Sequence, residues 1–420
     1  MTINVTIDKA AEIGSANALL MDIARRLQLS ATRHKEAEKH FNGLAAHVDR
    51  QGSPLQDLVA EVYPSGSFAI HAATLSRVKR DQYDVDAVLE LLISPDTDPQ
   101  VALDTTYEAI KGERGSQYFD YKIERNSRCV TVHYPDGVTV DLMPVVRLPG
   151  TPERVARLFH HKPETGDRYH KDVNPKGFAN YFNTHVEVSE EFASQFESRR
   201  LLVEHGSYSI VADKAETQPM PDHLALDQKS PRVVALQLLK RFRDIRFRKE
   251  NHRGLRKPPS VVKAAIALEA GPVSSDLTKE LLVIASALRN RLTAAARVGQ
   301  RVEVRNPAYW PDVFTDRWPE SNAAQSAWIT DLTLLLSRLE RLRAEAFDPD
   351  RTKAELAELF GETAASYALE KHFEGQRELN SRGRLRVSQA GRLASIPASV
   401  AAPALITPAR ANTNMGERRE

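Results

Sequence analysis

Of the 420 residues only Cys129 is a cysteine. That excludes a disulfide framework and a cysteine-based zinc ribbon, and it fits a reducing compartment. Cys129 itself reads as a small buried apolar residue in a strand near residues 128–134. There is no apolar run of about 18 residues, and the first residues lack the basic-then-apolar pattern of a signal peptide. A cytoplasmic protein with no membrane partner is therefore expected. Charge of one sign is lacking too: 58 Lys and Arg against 56 Asp and Glu leave a net +2, so the overall field selects no partner. The GxxxxGK phosphate loop, the HExxH helix and the GxSxG elbow are all absent, which removes P-loop, zincin and hydrolase-elbow chemistry. His160, His161 and His170 crowd together, but without cysteines or a helical i, i+4 pair they are expected in loops.

What is present is more specific. Gly66-Ser67-Phe68 is followed by Tyr83-Asp84-Val85-Asp86-Ala87-Val88-Leu89. In a strand over 83–92 alternate side chains share a face, so Asp84 and Asp86 project together. Two carboxylates on one edge repel unless a cation lies between them. Mg²⁺ suits that place, because it takes oxygen ligands from one or two carboxylates and from substrate phosphates. Ahead of the pair, Tyr63–Ser67 reads as a turn opening a short helix from Phe68 to about Leu75. Gly66 lets backbone approach a phosphate, and Ser67 offers a hydroxyl and an N–H at a helix start. A third acid, Asp141, sits in the β-rich run Val138–Met143 and completes a set able to clamp two metal ions. Gly206-Ser207-Tyr208 repeats the turn but has no acid pair after it, and reads as a loop.

At 420 residues the chain suits two packed lobes and a tail. Residues 1–57 carry helical apolar spacing and are expected to brace the catalytic sheet. Residues 58–230 read as the catalytic lobe and a connecting region, with strands near 58–64, 83–93, 120–124, 128–134 and 138–147 and a helix near 99–112. The turn Tyr134-Pro135-Asp136-Gly137 pairs the last two strands. From 149 to 231 short helices and loops are expected. Residues 231–375 read as a helical lobe, and 376–420 as a weakly ordered tail whose apolar stretch 400–406 could dock on a regulatory protein. The fold class is thus α+β, with a mixed sheet and the active site in the cleft between the lobes.

Between Lys240 and Lys257 nine Lys or Arg face two acids. Most of these are expected on a solvated helix face, with nucleic acid as a candidate partner. Lys240, where the apolar face meets the basic run, can reach a triphosphate across the cleft. Gly66-Ser67 with Asp84, Asp86 and Asp141, then Asn174-Pro175-Lys176-Gly177, Leu238-Leu239-Lys240-Arg241-Phe242-Arg243-Asp244 and Lys257-Pro258-Pro259-Ser260, resemble the bacterial cGAS/DncV-like nucleotidyltransferases (CD-NTases) of the polymerase-β-like superfamily, over roughly residues 40–350. The resemblance implies a synthase that makes cyclic di- or trinucleotides from NTPs, ATP among them, for antiphage signalling. It further implies that Gly66 and Ser67 contact the donor triphosphate, that Asp84, Asp86 and Asp141 hold two Mg²⁺ (or Mn²⁺), and that Lys240 and Ser260 reach the triphosphate from the helical lobe. Many relatives carry Gly-Thr shortly after the turn where this chain has Ile70-His71-Ala72-Ala73-Thr74, so His71 either faces the nucleotide or is packed. The rival readings are a toxin that attaches a nucleotide to RNA or protein, and an inactive nucleotide-binding interaction protein.

Overall fold

The computed structural model of the chain describes residues 15–75, 83–152, 154–203, 220–345, 347–381, 385–387 and 393–395. Two helices open it, α1 (Ala16–Leu27) and α2 (Ala31–Val48). Each starts at a serine, Ser15 and Ser30, whose side chain accepts an N–H of the first turn. The sheet follows: β1 (Val59–Pro64), a single turn α3 (Gly66–Ala69), β2 (Tyr83–Leu91), α4 (Pro99–Lys111), β3 (Lys122–Arg125), β4 (Val130–His133), β5 (Val138–Arg147), β6 (Ala156–Lys162) and β7 (Asp167–Val173). The remainder is mainly helical: α5 (Pro175–His185), α6 (Glu190–Val203), α7 (Pro231–Arg246), α8 (Ser260–Leu268) and α9 (Leu277–Arg297), then a small hairpin β8 (Arg305–Asn306) and β9 (Tyr309–Val313), then α10 (Asn322–Ala344), α11 (Pro349–Phe360) and α12 (Glu362–Ser381).

The strands run β1-β2-β5-β4-β3 in space, and β5 also pairs with β6, which pairs with β7. β2 and β5 are parallel while the other pairs are antiparallel, so the sheet is mixed. The architecture is α+β, as the sequence implied. On one face Val85, Ala87, Val140 and Leu142 are buried under α2 and α4, with Phe41, Leu44, Leu103 and Ile110 in the same core. Each Val, Leu, Ile or Phe among them is worth about 1.5–3 kcal/mol when fully buried. The opposite face carries the acids of β2 and β5 at one end and continues into a small apolar cluster of Tyr63, Val88, Val145 and Leu158.

Several expectations are corrected. The stretch 149–231 is not only loops and short helices, because β6 and β7 extend the sheet there. His160 and His161 lie on β6 and are buried, and His170 lies on β7. His160 stacks on Tyr169 at 4.2 Å and accepts from Arg128 at 3.0 Å, while the His161 ring bonds Arg125 at 2.7 Å. Their charged neighbours hid a strand whose histidines are satisfied by the sheet. α1 does not brace the sheet: Leu19, Leu20 and Ile23 belong to the core of the helical lobe, against α7, α9 and α12. An apolar stripe fixes which face is covered, not by what. The helix after Gly66 lasts one turn instead of reaching Leu75. Order runs past residue 375, since α12 extends to Ser381 with Leu379 buried, and β10 (Leu385–Val387) pairs with β11 (Leu393–Ser395). The docking segment 400–406 and the turn 206–208 lie outside the described residues. No helix among the described residues is long and apolar enough to cross a membrane.

Candidate active site

The parallel register of β2 and β5 sets Asp86 beside Asp141 and Asp84 beside Thr139. The antiparallel register of β4 and β5 sets Thr131 beside Asp141. Because side chains alternate along each strand, all five point to one face. The Thr139 hydroxyl donates to Asp84 and the Thr131 hydroxyl donates to Asp141, so two threonines orient two of the three carboxylates.

Asp86 is held from the turn. The Ser65 N–H donates to its carbonyl at 2.8 Å, and the Ser67 N–H donates to its carboxylate. Burial, reinforced by Asp141 and Asp84 and opposed by Lys240, pushes the Asp86 carboxyl up to about 7. Gly66 has φ +57°, and a Cβ there would fall 2.0 Å from Asp86 Oδ2. The turn therefore needs glycine twice, for its backbone conformation and for its contact with the acid.

The facing wall comes from the helical lobe. Lys240 lies toward the end of α7 and Ser260 begins α8. Burial lowers the Lys240 ammonium, as does Arg243, while Asp244, Asp84 and Asp86 act in the other sense. Arg243 fixes the turn before α8: it donates to the Pro258 carbonyl at 3.0 Å, to Ser260 Oγ at 3.2 Å and to Asp244 at 2.9 Å. Gly66, Ser67, Asp84, Asp86, Asp141, Lys240 and Ser260 thus line one cleft of about 490 Å³.

The same cleft contains residues that sequence reading missed. Arg128 precedes β4, Lys171 lies on β7, and Asp312, Asp316, Arg317 and Trp318 come from β9 and the segment after it. Arg128 bonds Asp316, Lys171 approaches Asp312 at 3.1 Å and Asp316 at 3.6 Å, and Arg317 donates to Ser127 at 2.8 Å. This end offers donors and acceptors side by side, as a nucleobase edge requires. The segment 305–318 has neither helical nor strand periodicity of any length, so nothing in the sequence flagged it.

Other expectations change here. Cys129 precedes the strand, is only partly buried and lines the cleft. Burial first, then Asp141 and Asp86, push its thiol up. Most of the basic run is solvated as expected, but its helical part is not: Arg241, Arg243 and Arg246 are buried. Arg241 donates to the Phe360 carbonyl at 2.8 Å and Arg246 to Asp331 at 2.7 Å. Arg248, Lys249, Arg253, Arg256 and Lys257 remain exposed. His71 lines a separate small cavity with His34, His223 and Lys229, away from the carboxylates. Burial and then Lys229 lower its imidazole.

Among the described residues no three His, Cys, Asp or Glu groups converge into a metal cage of their own. The donor set on β2 and β5 is all oxygen and all of one charge. That suits a hard cation whose coordination is completed by substrate phosphates and water.

Residues 15–162 match the model of the Second Messenger Oligonucleotide or Dinucleotide Synthetase domain. The chain is 32% identical, over 411 residues, to the cyclic dinucleotide synthase CdnG of Bradyrhizobium diazoefficiens, covering 96% of this chain and 95% of that protein. The solved structure of B. diazoefficiens CD-NTase CdnG in complex with GTP is similar with a TM-score of 0.70 and 30% identity, covering 85% of this chain and 98% of that one. The E. coli MS115-1 CdnC structure with ATP has a TM-score of 0.52 and 15% identity over 83% of this chain and 98% of that one, a likeness of fold.

Proposed function

The chain belongs to the cGAS/DncV-like nucleotidyltransferases (CD-NTases), and from that premise we propose that it joins two NTPs, GTP among them, into a cyclic dinucleotide. The reaction is Mg²⁺-dependent, releases pyrophosphate, and supplies a second messenger for antiphage signalling. The observation that carries this reading is the register that sets Asp86 beside Asp141 under the Gly66–Ser67 turn. The 32% identity to a cyclic dinucleotide synthase along nearly the whole chain favours a two-nucleotide ring, and the GTP complex of that relative favours guanosine as one substrate.

In this reading the Ser67 hydroxyl and the start of α3 receive the donor triphosphate. Lys240 and Ser260 meet it from the other wall, Lys240 offsetting charge that builds on the departing pyrophosphate and Ser260 donating a hydrogen bond. Asp84, Asp86 and Asp141 would hold Mg²⁺, which when bound would polarise the α-phosphate and lower the pKa of the attacking ribose hydroxyl. Asp141, positioned by Thr131, lies on the acceptor side and receives that hydroxyl. Asp84, positioned by Thr139, and Asp86, positioned by Ser67, lie on the donor side. Arg128, Lys171, Asp312, Asp316 and Arg317 face the bases at the far end of the cleft.

Mass spectrometry of phosphatase-resistant products from single and mixed NTPs tests this. A cyclic dinucleotide containing guanosine is expected. Label appearing only on RNA or protein would replace the reading with a macromolecule-modifying transferase, and a three-nucleotide ring would correct the product.

A further inference from the structure

Lys263 has no role in the account above, yet it is an anomalous residue of the helical lobe. It lies on α8 one turn after Ser260, is 1% exposed, and its Nζ has no hydrogen-bond partner among the described residues. A buried ammonium without an acceptor is costly. The strongest charges acting on it make the cost larger: Lys240 and Arg243 from α7 and Lys257 from the turn before α8, against Asp244 alone. Asp244 is already committed. Arg243 donates to it at 2.9 Å and Lys257 at 3.3 Å. Burial would raise its carboxyl, but the cations beside it, Arg243 first and then Lys257, hold it low.

Among the described residues, the other helices packed on α8 supply no buried acid that is not already committed. α3 has no ionisable side chain, and on α5 Lys176, Tyr181 and His185 are partly or fully exposed. On α9 the buried ionisable group is Glu280, which is bonded to Arg232 at 2.7 Å; Lys279, Arg289, Arg291 and Arg297 are partly or fully exposed. The wall that presents Lys240 and Ser260 to the cleft therefore has an excess of positive charge with one acid inside it. An arriving polyphosphate is the missing anion.

We propose that Lys263 is a proton-linked positioning residue for the substrate's polyphosphate: it is uncharged in the free protein, takes a proton from solvent as the polyphosphate docks on Lys240 and Ser260, and as an ammonium then draws in Asp244 and the turn that Arg243 holds. Burial, and then Arg243, lower the Lys263 ammonium well below its ordinary range, in keeping with the uncharged form. Because the bound state holds the extra proton, affinity falls as pH rises, by at most about tenfold per unit for one proton. This inference rests on the triphosphate site of the proposed function.

The test is calorimetry of a non-hydrolysable GTP analogue with Mg²⁺ at pH 8, in two phosphate-free buffers of different ionisation enthalpy. Wild type is expected to take up protons on binding, and Lys263→Met to lose most of that uptake. KM for the triphosphate should rise several-fold from pH 7 to pH 9 in wild type and less than twofold in Lys263→Met. Lys240→Met, which keeps Lys263, should bind more weakly and still take up protons. Binding without uptake in wild type, or equal uptake in Lys263→Met, overturns the role of Lys263 and leaves the synthase reading standing. If Lys263→Met does not fold, loss of uptake in Lys240→Met overturns the role instead. Failure of wild type to bind any NTP analogue ends both.

Discussion

Charged groups gather in two places in this protein, on opposite terms. Away from the cleft they come as satisfied opposites. Arg232 and Glu280, both nearly inaccessible, meet at 2.7 Å, and Arg232 also donates to the Gly271 carbonyl while Glu280 accepts the Ser274 N–H. Arg199 meets Asp22 at 2.6 Å, joining α6 to α1. At the cleft like charges share a wall: the partly exposed Asp84, Asp86 and Asp141 lie on one face of the sheet, and Lys240 stands on the facing wall with Lys263 buried on the next helix. Paired burial holds a fold in one arrangement. Like charges gathered at a cleft store electrostatic stress that a ligand of opposite charge relieves.

Changes to the two regions should consequently have opposite signatures. Asp84→Ala with Asp86→Ala should reduce product formation on the order of a thousandfold or more and leave the circular dichroism spectrum unchanged. Full turnover by that double variant would sink the active-site assignment. Arg232→Met should act in the other way: it strands Glu280 and is expected to cost about 3–5 kcal/mol of stability, read by denaturant unfolding, with residual activity per folded molecule. Gly66→Ala touches both properties, because its Cβ would collide with Asp86 and its φ is positive. It should lower kcat about a hundredfold and cost about 1–3 kcal/mol.

Asp86→Asn gives the sharpest contrast. Its carboxyl is raised in the folded state, so the stability it contributes is full below its unfolded pKa near 4 and is lost as pH climbs through about 7. In divalent-free buffer at pH 8 the variant should therefore melt at a higher temperature than wild type, while being inactive. At pH 4 that advantage should vanish. Equal melting at both pH values would show that the three acids are not in electrostatic conflict. The smallest effect is expected from Thr131→Val, which leaves Asp141 in place without its orienting hydroxyl. Activity should fall about tenfold, with an upward shift of the pH at which Mg²⁺-supported turnover sets in.

The elements that the sequence made legible are those whose signal is local. Tyr83–Leu91 and Val138–Arg147 announce themselves by β-branched alternation, and the Pro135-Asp136-Gly137 turn brings β5 beside β4. Asp84 and Asp86 share a face by parity alone. Less legible was anything set by an unexpected partner. β6 and β7 carry histidines, arginines and lysines that read as a loop until β5 offers an edge to pair with. The buried arginines of α7 look solvated in one dimension because their acceptors, such as Phe360 and Asp331, lie about 85 to 119 residues away. Nothing local marks Lys263 either: only its surroundings in the fold leave its Nζ without a hydrogen-bond partner among the described residues.

The sequence by itself determined the chemistry on offer: the Gly66–Ser67 turn, three carboxylates on apolar strands, a lysine and a serine on later helices. Tertiary structure decided which of these share a site. The pairing of β2 with β5 is parallel and spans more than fifty residues, so no local pattern encodes the register that sets Asp86 beside Asp141. The far end of the cleft is likewise built by residues from β7, β9 and the loop before β4, brought together only when the lobes pack. Local propensity acts over a few residues, whereas charge conflict and its relief act through space, and the chain must fold before either can be felt.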